Sequence, residues 1–451
     1  MKAQTTTPEL QMKADFRPLQ AVRYNLDKVS MQDVIAPPYD IISPEEQGKL
    51  YDKSQYNCIR LILNKIENSD TPSNNRYTRA CDHFSEWQAG QILTQEKEPC
   101  FYLYNQSFTN PADGKREERL ALLGRIRLEP FEKQIIVPHE KTLAKAREDR
   151  RKLLEATNTN FSPIFGLYDD CGSELRKLSD AVRAGASLYS AKDPEGVEHK
   201  VWTISKPEQV EKIRSAMREK NVYIADGHHR YQTALEFARD KRRELNLPEG
   251  TDAAFEFVYM ALVSFQDPGI VLLPTHRMVL PFEGFDPEKS LPVLKKYFKV
   301  EEIPAEKLIE KMKYHKPEGT LFSKPVTFGL LLERQAYFLT LQDPEGLRRE
   351  MPAGKPDVWY KLDLNVLGYY IFEKLWNIPD TAWENQLRFT RYSDEAQNAV
   401  RSGKAKAAVL LEAPHVELLR EMGEVRELMP QKSTYFHPKL ASGLLFYSHK
   451  E

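Results

Sequence analysis

No apolar run in this chain outlasts a single β-strand. Runs such as those at residues 222–225 and 269–274 are strand-sized, far short of the ~18 consecutive apolar residues that a membrane-crossing helix needs. Elsewhere the apolar residues recur at helical spacing, as with Tyr231, Ala234, Leu235 and Ala238, which fall at i, i+3, i+4 and i+7 on one face. The two periods alternate along the chain, which predicts a mixed α and β protein of the α+β class rather than a helical bundle or an all-β sandwich. At 451 residues the chain exceeds what one hydrophobic core organises, so about two or three domains or subdomains are expected.

The punctuation of the chain places these elements. Residues 1–15 mix threonines with charges and read as a flexible tail, followed by a strand at 16–22. Ala36-Pro37-Pro38-Tyr39-Asp40 is a loop made rigid by its prolines, which presets the positions of Tyr39 and Asp40. Ser43-Pro44-Glu45-Glu46 supplies a cap, a first-turn proline and N-terminal acids for a helix. Helices are expected at 74–89, 144–157, 208–220 and 364–375, and strands at 100–105, 121–128, 201–204 and 221–225. We divide the chain into a catalytic α/β region over 16–280, an α+β supporting subdomain over 281–355 and a C-terminal region over 356–451 that contributes to the site.

Charge narrows the function. With 65 basic against 66 acidic residues there is no global attraction to nucleic acid or to an anionic membrane, so polyanion binding is expected to be local and a nucleic-acid partner is not expected. Cys58, Cys81, Cys100 and Cys171 form no CxxC pair, which fits reduced thiols acting as packing residues, and no secretory h-region opens the chain, so a cytoplasmic location is expected.

The segment with the densest chemistry is Asp226-Gly227-His228-His229-Arg230, set between the apolar run at 221–225 and the following helix. A helix N-terminus offers unpaired N–H groups and partial positive charge, and Gly227 lets an anion approach the backbone. His228, His229 and Arg230 add donors for phosphate oxygens, while Asp226 reads as a helix cap or a metal ligand. The bland alternative is an Asp cap beside surface histidines. His139-Glu140 precedes the charged helix carrying Asp149-Arg150, and Glu140 is the first candidate for a general base that takes a proton from an attacking hydroxyl. Leu143 stands where a zincin's second histidine would be, so HExxH is excluded. Lys432-Ser433-Thr434, between Pro430 and Pro438, reads as a phosphate or carboxylate clamp or else as a proline-bounded edge strand. Asp363 reads as a helix cap. No histidine set has zinc spacing; magnesium held by carboxylates and substrate phosphates is the expected cofactor, with its ligands unassigned. Neither GxxxxGK[ST] nor GxGxxG occurs.

Six ordered segments carry a resemblance: Ala36-Pro37-Pro38-Tyr39-Asp40; His139-Glu140 with Asp149-Arg150; Ser162-Pro163-Ile164-Phe165; Asp226-Gly227-His228-His229-Arg230-Tyr231; Pro274-Thr275-His276-Arg277; and Met429-Pro430-Gln431-Lys432-Ser433-Thr434. Together they resemble the family called domain of unknown function 1015, from about residue 16 to 446. The Asp-Gly-His-His-Arg segment is similar to the phosphate-binding motif of the ParB and sulfiredoxin-like superfamily, which includes free-serine kinases. The resemblance implies a ParB/sulfiredoxin-like catalytic core elaborated with further α+β subdomains. It also implies a kinase that forms O-phospho-L-serine from free L-serine and pyrophosphate, ADP or ATP, in either direction. Phosphate binding is thereby carried to Asp226, Gly227, His228, His229 and Arg230, with Glu140 or Asp40 as base. Tyr39, His139, Asp149, Arg150, His276, Arg277, Lys432, Ser433 and Thr434 are expected to bind substrate. The alternative is a ParB-like nucleotide-binding or DNA-associated regulator, against which the balanced charge weighs. Oligomeric state is not encoded in any of these features.

Overall fold

The strands Phe101–Thr109 and Phe257–Ser264 are buried along nearly their whole length, as a sheet covered on both faces requires. Alternate residues of this sheet enter different cores: Tyr102, Tyr104, Leu123 and Tyr259 enter one, and Phe101, Leu103, Leu122 and Met260 the other. The computed structural model describes residues 13–111, 113–141, 144–313 and 321–450.

The main sheet has nine strands. Its order is Ile136–Val137, Val222–Asp226, Ile164–Tyr168, Phe257–Ser264, Arg116–Arg127, Phe101–Thr109, Glu198–Ile204 and Tyr189–Lys192, with Phe16–Arg17 added to the far end of Arg116–Arg127. On one face lie the helices Glu174–Arg183, Pro207–Met217 and His228–Glu244, which insert Leu175, Ile213, Tyr231 and Phe237. On the other, the helix Arg76–Ala89 inserts Phe84 and Trp87. Asn75 caps that helix through its side chain, and Ser43 with Glu46 forms a reciprocal capping box at the start of Pro44–Lys53.

A second sheet of six strands runs Phe298–Glu302, Ala336–Leu341, Thr327–Leu331, Ala407–Leu410, His276–Val279 and Leu387–Thr390. It joins the stretch expected as a supporting subdomain to strands from either side of it. Residues 429–448 then run back to segments that flank the first sheet. Met429 bridges Glu140, Tyr435–His437 pairs with Val271–Leu273, Ser442 bridges Ala36, Phe446 bridges Val22, and Tyr447–Ser448 pairs with Thr159–Asn160.

The α+β class stands, and four local expectations change. Of the tail expected over 1–15, residues 1–12 lie outside the described residues, and the amides of Lys13 and Ala14 donate to the carbonyls of Arg218 and Lys220. The strand expected at 16–22 splits into Phe16–Arg17 and Val22–Tyr24, since Pro18 has no N–H to donate to a ladder. The helix expected at 364–375 begins as Asp363–Asn365 and continues as a π-helix, Val366–Leu375. Cys58 and Cys100 are buried, but Cys171 is exposed in the turn after Ile164–Tyr168, so it is not a packing residue. Among the described residues no helix is long and apolar enough to cross a membrane.

Candidate functional site

The strand Val222–Asp226 ends at a bulge, where its pairing with Ile164–Tyr168 shifts register between Ile224 and Asp226. The bulge re-aims Asp226, and the chain then turns at Gly227 into the helix His228–Glu244. Gly227 adopts φ +96°, a left-handed conformation that favours glycine, and a Cβ there would meet the Arg230 guanidinium at 2.9 Å. Gly227 itself is the N-cap and no side chain caps the helix. Asp226 is therefore not the cap the sequence suggested. This junction forms one wall of a cavity of about 490 Å³, with further walls from the 37–41 loop, Glu140, the 389–395 turn of the second sheet and the 432–439 segment.

Asp226 is instead the anion of a half-buried triad. Its Oδ2 accepts from Arg230 Nη2 at 2.9 Å, and its Oδ1 from Lys439 Nζ. Burial opposes its charge, yet Lys439 and Arg230 hold the carboxyl well below the usual carboxylate range. Burial likewise opposes the charge of Lys439, and Asp226 and Asp40 together raise its pKa. Arg230 Nη1 also donates to the Pro163 carbonyl. Lys439 is set in place from behind. The fully buried Arg119 donates to the carbonyls of His437 and Pro438, and Gln106 Nε2 to that of Lys439 at 2.9 Å.

Adjacent residues of the expected motifs are sent to opposite sides. In the extended segment 139–141, His139 points inward. Its Nδ1 donates to the Ile224 carbonyl at 2.6 Å, so Nε2 accepts from Thr434 Oγ1 at 3.0 Å, and burial lowers its pKa to about 4. Glu140 faces the cavity. Burial pushes its carboxyl up, while the charge and the backbone N–H of Lys432 pull it down. On the helix, His228 turns into the interior, where its Nε2 accepts the His139 amide at 3.3 Å. Burial, then the neighbouring His139, depress its pKa strongly. His229, one position on, is half-buried at the cavity wall, and burial lowers its pKa to about 4, with Lys432 adding to the effect.

Tyr39 and Asp40 line the cavity. Arg150 lies behind Tyr39, with its guanidinium 3.8 Å from the ring centroid, and Asp149 binds Arg150, Arg76 and Tyr77. The structure thus brings neither Asp149 nor Arg150 into the cavity. Lys432 and Thr434 line it, whereas Ser433 is buried with its hydroxyl donating to the Pro430 carbonyl. His276 Nδ1 accepts the Leu411 amide at 3.1 Å, and Arg277 donates to the Lys432 carbonyl at 3.0 Å. Both are buried outside the cavity, though Arg277 fixes the backbone that presents Lys432. Half-buried Asp363, whose pKa burial raises to about 6, lies near Arg277.

Several lining residues were not singled out from the sequence: Lys439, Arg391, Tyr435, Glu195, Phe389 and Tyr392. Only Lys439 carried a signal, since it follows Pro438 in the same segment as Lys432. Among the described residues no three His, Cys, Asp or Glu side chains converge as a metal cage. Both Asp226 oxygens are taken; the cavity carboxylates outside any close ion pair among the described residues are Asp40, Glu46, Glu140 and Glu395.

Fold and site together define an α+β protein with a polar, cation-lined cleft closed by its own C-terminal segment. The chain belongs to the family described as Protein of unknown function (DUF1015), which matches residues 16–365. That match stops short of Arg391, Lys432 and Lys439. No curated protein matches the chain. Among solved structures, a mutant free serine kinase in complex with AMP aligns at TM-score 0.34 and 14% identity, covering 73% of this chain and 90% of its own. A conserved hypothetical protein from Pyrococcus furiosus aligns at TM-score 0.32 and 15% identity, covering 70% and 91%. A C-terminally truncated SbnI from Staphylococcus aureus aligns at TM-score 0.31 and 9% identity, covering 71% and 85%. These scores are too low for the neighbours to argue for more than themselves.

Proposed function

We propose that this protein is a phosphotransferase that phosphorylates the hydroxyl of free L-serine, with pyrophosphate, ADP or ATP as donor. One observation carries the reading: a carboxylate raised in pKa by burial, Glu140, shares a cavity with an uncapped helix N-terminus and the cations Lys432, Lys439 and Arg230. Glu140 with a raised pKa is suited to accept a proton near neutral pH. Asp226, held ionised by two cations, is suited to fix Lys439 and Arg230 rather than to take the proton itself.

In this scheme the donor's terminal phosphoryl rests at the Gly227–His229 turn, where the dipole and amides favour negative charge, with Lys432 beside it. The serine oxygen attacks phosphorus as Glu140 takes its proton. The new O–P bond forms while the bond from phosphorus to the donor's bridging oxygen breaks, and the released phosphate or nucleotide keeps that electron pair. Magnesium, if bound, neutralises charge on the donor phosphates. Asp40 is the residue suited to hold it, the remaining ligands being phosphate oxygens and water, as magnesium commonly accepts. The strand, glycine turn and helix at 222–244 are in keeping with the ParB-like phosphate-binding motif expected from the sequence.

The test is a coupled assay of the purified full chain with L-serine, Mg²⁺ and each donor in turn. Phosphoserine from one of the donors supports the proposal. Its absence with all three, in protein shown to be folded, removes it.

A further inference from the structure

The far end of the cavity holds a second charged pair, contributed by other parts of the chain. Arg391 follows the strand Leu387–Thr390, and its guanidinium lies 4.9 Å from the ring centroids of both Tyr392 and Tyr435. One nitrogen donates to the Tyr435 hydroxyl, and another lies 3.3 Å from Glu195 of the Asp193–Gly196 turn. Arg391 is 19% exposed and Glu195 54% exposed, and both line the cavity. The guanidinium is therefore fixed by stacking and a hydroxyl, while its carboxylate partner stands at the rim, where an ion pair adds little to stability. Nothing in the fold requires this pair, and the phosphoryl chemistry proposed above leaves it unused.

We propose that Arg391 and Glu195 recognise the α-carboxylate and α-ammonium groups of the amino-acid acceptor. This rests on the serine-kinase reading and assigns its acceptor subsite. A planar guanidinium suits any carboxylate or phosphate. What selects among them is Glu195, whose oxygen lies 3.3 Å from the guanidinium: a phosphate at Arg391 meets a neighbouring like charge, whereas a zwitterion satisfies both groups at once. The stacked rings of Tyr392 and Tyr435 hold the guanidinium's orientation, so little freedom is lost on binding.

Calorimetric titration of the full chain reads this with or without turnover. L-serine is compared with L-serinamide, which lacks the carboxylate, and with L-glycerate, which lacks the ammonium group. Wild type is expected to prefer L-serine by roughly 10- to 100-fold over each, the range for hydrogen bonds between charged groups. Arg391→Met is expected to erase the preference over L-serinamide, Arg391→Lys to restore part of it, and Glu195→Gln to erase the preference over L-glycerate. Pyrophosphate affinity is expected to stay within about 3-fold in all variants, the effect of a contact the donor does not use. The inference is overturned if wild type does not bind L-serine, if the variants leave both preferences intact, or if Arg391→Met weakens pyrophosphate and not serine. Preferences that follow the variants in a protein that makes no phosphoserine sustain the subsite and remove the kinase reading. Phosphoserine production with preferences indifferent to both variants does the reverse.

Discussion

Replacing Lys439 by methionine strands a half-buried charge. Asp226 is 19% exposed and Lys439 10% exposed, so solvent screens their interaction weakly. At a charge separation of about 4 Å and an effective dielectric near 20, the attraction is about 4 kcal/mol. Removing one partner of a buried pair costs about 3–5 kcal/mol. Arg230 remains on the second oxygen at 2.9 Å, so we expect the lower end, about 3 kcal/mol. Urea unfolding at pH 7, followed by tryptophan fluorescence and circular dichroism in parallel, measures it. If the cost is an unpaired charge, Asp226→Asn in the same chain recovers most of it, because the double variant has no carboxylate to strand. The pH dependence has a definite sign. The folded pKa of Asp226 is depressed, so its stabilising contribution is complete above the unfolded value near 3.9 and is lost as pH falls toward the folded one. The gap between wild type and Lys439→Met is therefore expected to narrow on acidification below about pH 4. A double variant as unstable as the sum of the single ones, or a gap that widens in acid, refutes the argument.

Glu140→Gln is expected to lower kcat by about 10²–10⁴ with the donor's KM little changed. In wild type the acid limb of kcat/KM is expected above the ordinary glutamate value of 4.5, because burial raises this carboxyl and the base works only when ionised. Gly227→Ala imposes a left-handed backbone on a β-carbon, costing about 1–2 kcal/mol, and drives that carbon against Arg230. Calorimetry with pyrophosphate should show donor binding weakened at least about tenfold, the equivalent of 1.4 kcal/mol. Burial keeps His139 neutral with a folded pKa of about 4, so between there and the unfolded value near 6.5 the unfolded chain binds the extra proton and stability falls with pH. Lowering pH from 7 to 5 should cost about 2 kcal/mol for this residue, seen as a lower urea midpoint.

The strand, turn and helix at 222–244 were legible because an apolar run, a glycine and an i, i+3, i+4, i+7 face follow one another within a few turns of chain. The same holds for the capped helices at Pro44–Lys53 and Arg76–Ala89. Neighbouring motif residues were harder to read. His139 and Glu140 lie in extended chain, where successive side chains point to opposite sides, and His228 and His229 are about 100° apart on a helix. A motif read as a block is thus divided by its own backbone: His139 and Ser433 lie away from the cavity while Glu140, Lys432 and Thr434 line it, and His228 is the more buried of two histidines at its wall. Long-range pairings left no mark, even where, as with Lys439, the residue itself carried a signal. Asp226 meets Lys439 across 213 residues and Arg391 meets Glu195 across 196, and only the sheet order decides those meetings.

The return of residues 429–448 to segments that flank the first sheet bears on how the protein comes into being. The first sheet can assemble while later residues are still on the ribosome, but its Asp226 stays without Lys439 until that lysine has cleared the exit tunnel. Nascent chains halted before this point would hold the strands of the first sheet but neither Lys439 nor the core residues Leu444, Leu445, Phe446 and Tyr447. Premature termination just before residue 439 would accordingly remove the lysine and part of the core together, so such a chain is expected to be cleared rather than to accumulate.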